Sequence, residues 1–277
     1  ALLDTVSRYG EAQGVQLPSL KRVISAGAPV PVKVLNRFSA MLSPGVQIFT
    51  PYGATESMPV TVVGSNQILR ETQGKTAIGA GICIGRPVEG MEVAIIRISD
   101  EAISDWSEDL KTAPGVIGEI VVKGRNVTRN YFNRESATQL AKIRDGAQVR
   151  HRMGDLGYFD AEGNLWFCGR KAHRVQAGEQ ELYTVPCEHI FNQHPDVFRT
   201  ALVGVQGRAV LCVETEKGRQ PINRAQLEAE LLAWAAAHPL TRTIKTLLFH
   251  PGFPVDRRHN AKIIRENLAV WAKNELQ

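Results

Sequence analysis

No apolar stretch in this chain reaches the roughly 18 residues that a membrane-spanning helix needs. No charged-then-apolar leader is present either, so neither a membrane span nor an export signal is expected. The four cysteines, Cys83, Cys168, Cys187 and Cys212, stand far apart, without a C-x-x-C pair and without histidine at zinc-finger spacing. They read as reduced core thiols of a cytoplasmic protein. Aromatic residues make up only 6% of the chain, and no Lys/Arg run is long enough to form a basic tail. A nucleic-acid surface, which interleaves clustered Lys/Arg with aromatics, is therefore not expected. Internal repeats and low-complexity tracts are absent as well.

What is present is globular in composition: 277 residues, 43% hydrophobic and 22% charged. That length favours two domains, each able to bury a core. The net charge of +5 suits an anionic small partner such as a nucleotide or a CoA. The chain opens at Ala1 and runs at once into helix-like residues 2–9, as a start inside a domain would.

Residues 22–25 form a short β-prone run ending in Gly27-Ala28-Pro29. Behind Pro31, which suits a first helical turn, Val32, Leu35, Phe38 and Leu42 recur at helical spacing. A second short strand over residues 46–50 leads into a loop, Pro51-Tyr52-Gly53-Ala54-Thr55-Glu56. This rhythm is that of a parallel α/β sheet, whose ligands sit at the carboxyl ends of the strands. From about residue 79 to residue 170, short β-like runs broken by Gly, Pro and Asp predict a small barrel or sandwich, with residues 160–164 as a hairpin turn. Beyond Gly169-Arg170 the pattern becomes α+β. Its clearest element is a helix over residues 224–237 with Asn223 as N-cap, Gln226 three residues on and Pro239 as its stop.

Several of these loops carry chemistry. Tyr52 to Glu56 place an aromatic face, a flexible backbone, a hydroxyl and a carboxylate together, which suits a purine, a phosphate and its Mg²⁺. Taken alone, a glycine turn beside surface polar residues explains them as well. Small residues at Gly27, Ala28 and Pro29 let a flat base approach closely, or simply make a strand-to-helix turn. Asp155, in Met153-Gly154-Asp155 ahead of a strand, suits ribose hydroxyls or the closing of a turn. Arg170 offers a guanidinium fork for ribose or phosphate oxygens, or is a surface Arg at a domain joint. Lys262 suits neutralisation of charge on a carboxylate and an α-phosphate, or is one more solvated lysine in a basic run with His259.

In their order and spacing these segments resemble the AMP-forming, adenylate-forming superfamily of acyl-CoA synthetases, peptide-synthetase adenylation domains and luciferases. The resemblance covers essentially the whole chain. It implies an α/β fold class: the end of a parallel-sheet subdomain plus a small β-barrel subdomain, followed by a small α+β C-terminal domain. The expected boundaries are residues 1–171 for the large domain, with the α/β segment over 1–75 and the barrel over 76–171, and 172–277 for the mobile C-terminal domain. It further implies ATP and Mg²⁺ as cofactors. Gly27, Ala28, Pro29, Tyr52, Gly53, Ala54, Thr55, Asp155 and Arg170 would bind ATP or AMP, Gly118-Glu119 would lead to the Asp155 turn, and Thr55, Glu56 and Lys262 would be catalytic. Glu56 would be the metal ligand and Ala172 the hinge.

The chain departs from the family in four places. The phosphate loop ending in P-K that precedes these motifs is absent, so the chain is expected to be the second half of a larger enzyme and inactive alone. Ala172 stands where most members carry Asp or Lys, and Ala261 where a Gly usually precedes the lysine. After Gly178, the stretch 179–186 is longer than the Gly loop that walls a pantetheine tunnel. The runs 171–175 and 258–262 are most similar to the long-chain branch that includes the olefin-pathway β-lactone synthetases. The expected activity is thus adenylation of a long-chain β-hydroxy acid whose own hydroxyl then displaces AMP, in assembly with other olefin-pathway enzymes. A long-chain fatty acyl-CoA ligase, the one case in which CoA would be a co-substrate, is the first alternative. A catalytically silent nucleotide-binding fragment is the second.

Overall fold

The computed structural model describes residues 2–216, 223–256 and 262–277. They fall into two compact units: Ala1–Gln73 with Ile82–Phe167, and Gly74–Gly81 with Cys168–Gln277. The division thus falls after Phe167, with the segment 74–81 grouped with the second unit.

In the first unit, helix α1 (Leu2–Gln13) is followed by strand β1 (Val23–Ile24), helix α2 (Val32–Ser39) and strands β2 (Ile48–Ala54) and β3 (Ser57–Gly64). Helix α2 starts behind Pro31, whose missing N–H costs nothing at a helix N-terminus, and buries Val34, Leu35 and Phe38 at helical spacing. Leu35, Phe38, Leu42 and Ile48 form the core of this segment. Strands β1 and β2 pair in parallel, Val23 opposite Ile48, as the pattern predicts. The rest of that sheet is antiparallel. β3 pairs with β2 and with β5 (Arg86–Pro87), the latter preceded by the short helices α3 (Ser65–Gln67) and α4 (Gln73–Ala77) and by β4 (Ile82–Cys83).

The second sheet uses β6 (Met91–Ile96), β7 (Gly118–Gly124), β8 (Lys142–Asp145), β9 (Gln148–Phe159) and β10 (Leu165–Arg170), with helix α5 (Glu135–Ala141) leading into β8. Its order is β4-β10-β9-β7-β6, with β8 added on β9. Strand β7 is apolar on both faces. Ile120 and Val122 enter one cluster with Val60, Met153 and Leu165, while Val121 enters another with Ile96 and Ile143. At this strand's start the buried Glu119 meets Arg152 at 2.6 Å. Arg152 spends its remaining donors on the carbonyls of Ser99, Glu101 and Leu140, so the pair is buried without unmet hydrogen bonds.

Two sequence expectations change here. The segment 51–56 is not a loop after a strand ending at Thr50: the strand runs on to Ala54, and a two-residue turn, Thr55-Glu56, returns it as β3. Met153-Gly154-Asp155 is not a turn ahead of a strand, because it lies inside the 12-residue β9. There Glu119 faces Leu156 while Val121 faces Arg152, so β9 carries extra residues as a bulge, and Gly154 takes a φ of 66°. Only glycine adopts that conformation at little cost.

In the second unit, β11 (Val175–Ala177) and β12 (Gln180–Leu182) make a hairpin, and helix α6 (Thr184–Phe191) follows. The stretch 179–186 is therefore ordered as a strand and the first turn of a helix. The sheet of β13 (Val197–Val205), β14 (Arg208–Thr215) and β15 (Thr246–Phe249) has order β13-β14-β15, its second pair parallel. Alternating residues face opposite ways. Leu202, Leu211 and Val213 join a core with Phe191, Leu227 and Leu231, whereas Ala201, Val203, Val210 and Cys212 join one with Leu268 and Ala272. Those partners lie on helices α6, α7 (Arg224–Ala237) and α8 (Arg265–Glu275). Helix α7 has the expected bounds and cap, the Asn223 side chain accepting from the Gln226 N–H at 3.2 Å. All four cysteines are buried and free.

Candidate functional site

The fold brings together two residues 103 positions apart: the Tyr52 hydroxyl donates to Asp155 Oδ2 at 2.7 Å. Strand β2 supplies the first and the β9 bulge aims the second, so the aromatic expected to meet a base and the carboxylate expected to meet a ribose share a hydrogen bond. The Tyr52 ring leans on Phe167, centroids 6.2 Å apart, which fixes its plane. Between Tyr52 and Ala54 the β2–β3 register slips. Gly53 is required there, because a Cβ would lie 2.5 Å from the Ser57 carbonyl oxygen.

Thr55 and Glu56 form the tip of that hairpin, Thr55 exposed and Glu56 half-buried. The segment following β7 straps the tip down. The Thr128 N–H donates to the Glu56 carbonyl at 2.8 Å, and Asn126 reaches the Pro59 carbonyl at 3.0 Å. The Tyr131 hydroxyl donates to Glu56 Oε1 at 2.6 Å. Lys142, buried, holds the strap from below through the carbonyl and hydroxyl of Thr128, at 2.6 and 3.1 Å. Burial alone pushes the Glu56 carboxyl up, but the Tyr131 hydrogen bond, the residue's own N–H and the nearby His151 and Lys142 together hold it below the ordinary glutamate value. Burial, and less so Glu56, pushes the Tyr131 phenol up to about 12. Burial brings Lys142 down to about 8 and, with the neighbouring Lys142, brings His151 down to about 4. Neutral His151 then donates from Nδ1 to the Ala141 carbonyl, 3.2 Å away.

Tyr131, Lys142 and His151 were not singled out from the sequence. Tyr131 lies 75 residues from Glu56, and the contacts of Lys142 and His151, 14 and 10 residues away, join a strand to the segment before it, so no helical or strand spacing rule points to them. The aromatic pair Tyr131-Phe132 in the mostly polar segment 125–134 is a local sign.

Of the other expected site residues, Gly27, Ala28 and Pro29 follow β1 on the side where β2 runs on toward Tyr52, and Gly27 takes a φ of 95°. Arg170 ends β10 and is exposed. Ala172 is exposed in the single turn Lys171–His173. Lys262 is exposed beside a bridge between Val255 and Ile263, its carbonyl accepting from the Asp256 N–H at 2.9 Å. His259 and Ala261 lie outside the described residues.

Among the described residues no group of three or more His, Cys, Asp or Glu could hold a metal ion. A lone ionised carboxylate such as Glu56 fits the way Mg²⁺ is bound when substrate phosphates supply most of its ligands.

Residues 1–132 match the family model of AMP-binding enzymes. The chain is 50% identical, over 99% of its length and 50% of the relative's, to an olefin beta-lactone synthetase of Xanthomonas campestris pv. campestris. To the olefin beta-lactone synthetase of Stenotrophomonas maltophilia it is 47% identical, over 100% of this chain and 50% of that protein. It also shares its fold with o-succinylbenzoate CoA synthetase from Bacillus subtilis, solved in complex with ATP and magnesium ion: TM-score 0.70 at 22% identity, covering 95% of this chain and 50% of that one. Over residues 1–132 the chain is thus similar to the AMP-binding enzymes, and over nearly its whole length to olefin beta-lactone synthetases. It spans about half the length of the curated relatives it matches. No helix among the described residues is long and apolar enough to cross a membrane.

Proposed function

We propose that this chain is the C-terminal half of an enzyme that activates a long-chain β-hydroxy acid with ATP and closes it to a β-lactone. Identity of 50% and 47% to olefin beta-lactone synthetases over essentially the whole chain carries this reading. Tyr52 would stack on adenine and Asp155 accept the ribose hydroxyls, each orienting the other through the hydrogen bond they share. Gly27, Ala28, Pro29, Gly53 and Ala54 would give the base a close, flat approach. Thr55 would donate to a phosphate oxygen, Arg170 would add a guanidinium at the ribose or phosphate, and Ala172 would be the hinge. Glu56 would hold Mg²⁺, whose charge, once bound, neutralises the phosphates. Lys262 would meet the charge that develops as the substrate carboxylate oxygen attacks the α-phosphorus and pyrophosphate leaves.

In the second step the β-hydroxyl oxygen attacks the acyl carbon, the hydroxyl proton is lost and AMP departs with the bonding electrons. The nucleophile is tethered, so its effective concentration is high and no thiol acceptor is needed. On this reading the enzyme works in the cytoplasm, in assembly with other enzymes of the olefin pathway. The test is mass spectrometry of two reactions of the full-length enzyme. A long-chain β-hydroxy acid with ATP should give AMP and a product one water lighter than the acid, without CoA. A thioester formed from a plain fatty acid on adding CoA would replace the lactone with a CoA-ligase activity and leave the adenylation standing.

A further inference from the structure

Glu56 is asked to be a metal ligand at the tip of a two-residue turn, where it is only half-buried and a glutamate side chain has several rotamers. It also has a competitor for its charge. Lys142 is buried in the same neighbourhood, its ammonium 5.8 Å from the centroid of the Tyr131 ring and held on Thr128. The two groups act on each other electrostatically, and an ion pair between them would oppose metal binding. The Tyr131 ring and hydroxyl stand against this outcome: the hydroxyl takes Glu56 Oε1 at 2.6 Å. A carboxylate has about four lone-pair sites, so one neutral donor leaves capacity for a cation. A phenol also leaves the carboxylate's charge intact, whereas a lysine would cancel it. The backbone bond from Thr128 to Glu56 fixes the tip to the same strap, so side chain and main chain are located together.

We propose that Tyr131 is a positioning residue: it holds the Glu56 carboxylate in a single rotamer, so that the carboxylate is ready to receive the Mg²⁺ that arrives with ATP. This rests on the assignment of Glu56 as the magnesium ligand. The Asn126, Thr128 and Lys142 contacts keep the strap, and hence the phenol, in place.

The experiment uses the full-length enzyme and four forms of it: the parent, Tyr131→Phe, Glu56→Gln and the double variant. Binding of Mn²⁺ in the presence of a non-hydrolysable ATP analogue is followed by the loss of the free-ion electron paramagnetic resonance signal, and the Mg²⁺ dependence of ATP–pyrophosphate exchange is measured alongside. Tyr131→Phe keeps the ring and the fold, so its melting temperature should stay within about 2 °C of the parent. The loss of one charge-assisted hydrogen bond should raise the half-saturating metal concentration about tenfold, with little change in rate at saturating metal. In the Glu56→Gln background the same substitution should have no further effect, because a residue acting through Glu56 has nothing left to act on. Metal affinity within twofold of the parent in Tyr131→Phe, or equal effects in both backgrounds, would overturn the proposal. A parent enzyme that shows no pyrophosphate exchange with any aliphatic acid would instead overturn the adenylation reading, while the metal-binding comparison would still decide the role of Tyr131.

Discussion

Two regions of the first unit hold carboxylates in opposite ways. At the start of β7, Glu119 is buried and meets a guanidinium, Arg152, which neutralises it and is itself saturated by three carbonyls. At the hairpin and the bulge, Glu56 and Asp155 each accept from a phenol, Tyr131 and Tyr52. A guanidinium cancels a carboxylate's charge and secures a fold; a phenol orients the carboxylate and leaves its charge to be used. In the second unit Glu188 meets Arg265 and Glu214 meets Arg199, while Glu181 accepts from both Arg174 and the Tyr183 hydroxyl. At Glu56 and Asp155 the tyrosine-held carboxylates lie where a ligand is expected, whereas at Glu181 the tyrosine is joined by the guanidinium of Arg174.

The largest expected effect breaks the structural pair. Glu119→Ala strands a buried guanidinium, which should cost about 3–5 kcal/mol and lower the melting temperature by roughly 10 °C. Asp155→Ala, by contrast, should weaken ATP binding while leaving the melting temperature nearly unchanged. Calorimetric melting and nucleotide titration of both variants check the contrast. Equal stability losses would mean that Asp155 is structural too.

Next in size is Lys262→Ala, which should slow adenylation by about 10²–10³-fold and leave ATP affinity within a few fold, since its charge matters in the transition state. Pyrophosphate exchange against ATP titration separates the two. A variant that loses ATP binding and keeps its rate at saturation would show that Lys262 serves the ground state.

How much of this was legible in the sequence depends on the distance over which each feature is encoded. Helix α7 was legible to the residue, because its cap, apolar face and stop lie within one segment. The parallel β1–β2 pair was legible from two β-prone runs around one amphipathic helix. The β2–β3 hairpin was hidden: its turn, Thr55-Glu56, carries neither Gly nor Asn, and Pro51 and Pro59 sit in its strands. Gly154-Asp155 read as a turn because a left-handed glycine is rare inside a strand, and only the bulge accounts for it. Tyr52 and Asp155 were each found as residue types, but their hydrogen bond, like that of Tyr131 to Glu56, is a product of the tertiary fold.

Acid should sharpen the comparison at His151, which lies behind the strap. Its folded-state value of about 4 is below that of the unfolded chain, so between about 4 and about 6.5 the unfolded state binds the extra proton. The sign is therefore a loss of stability as pH falls through that window, roughly 2 kcal/mol by pH 5. His151→Asn, which keeps a donor for the Ala141 carbonyl and does not titrate, should flatten the acid limb of a plot of melting temperature against pH. An unchanged acid limb would place the sensitivity elsewhere.

The smallest effect is expected from Tyr52→Phe, and its smallness is what makes it informative. The ring and its contact with Phe167 survive, so stacking on a base should survive as well. What disappears is the donor that turns Asp155 toward its ligand. Asp155 keeps its charge and its place in the bulge, because Gly154 and the β7–β9 register set the backbone there and Tyr52 does not. The carboxylate then lacks one of the contacts that orient it, a loss of about 0.5–1.5 kcal/mol, equivalent to a few-fold loss of affinity. That loss should appear in ATP and AMP binding alike, since both carry the ribose, and should be absent for pyrophosphate. The rate at saturating ATP should hold, because the ribose contacts are made in the ground state and persist through the reaction. Titration of the variant with the three ligands therefore separates orientation from stacking. A large and equal loss for ATP and AMP together with a lower melting temperature would mean that the tyrosine hydroxyl braces the fold, and the distinction between phenol-held and guanidinium-held carboxylates would fail at Asp155.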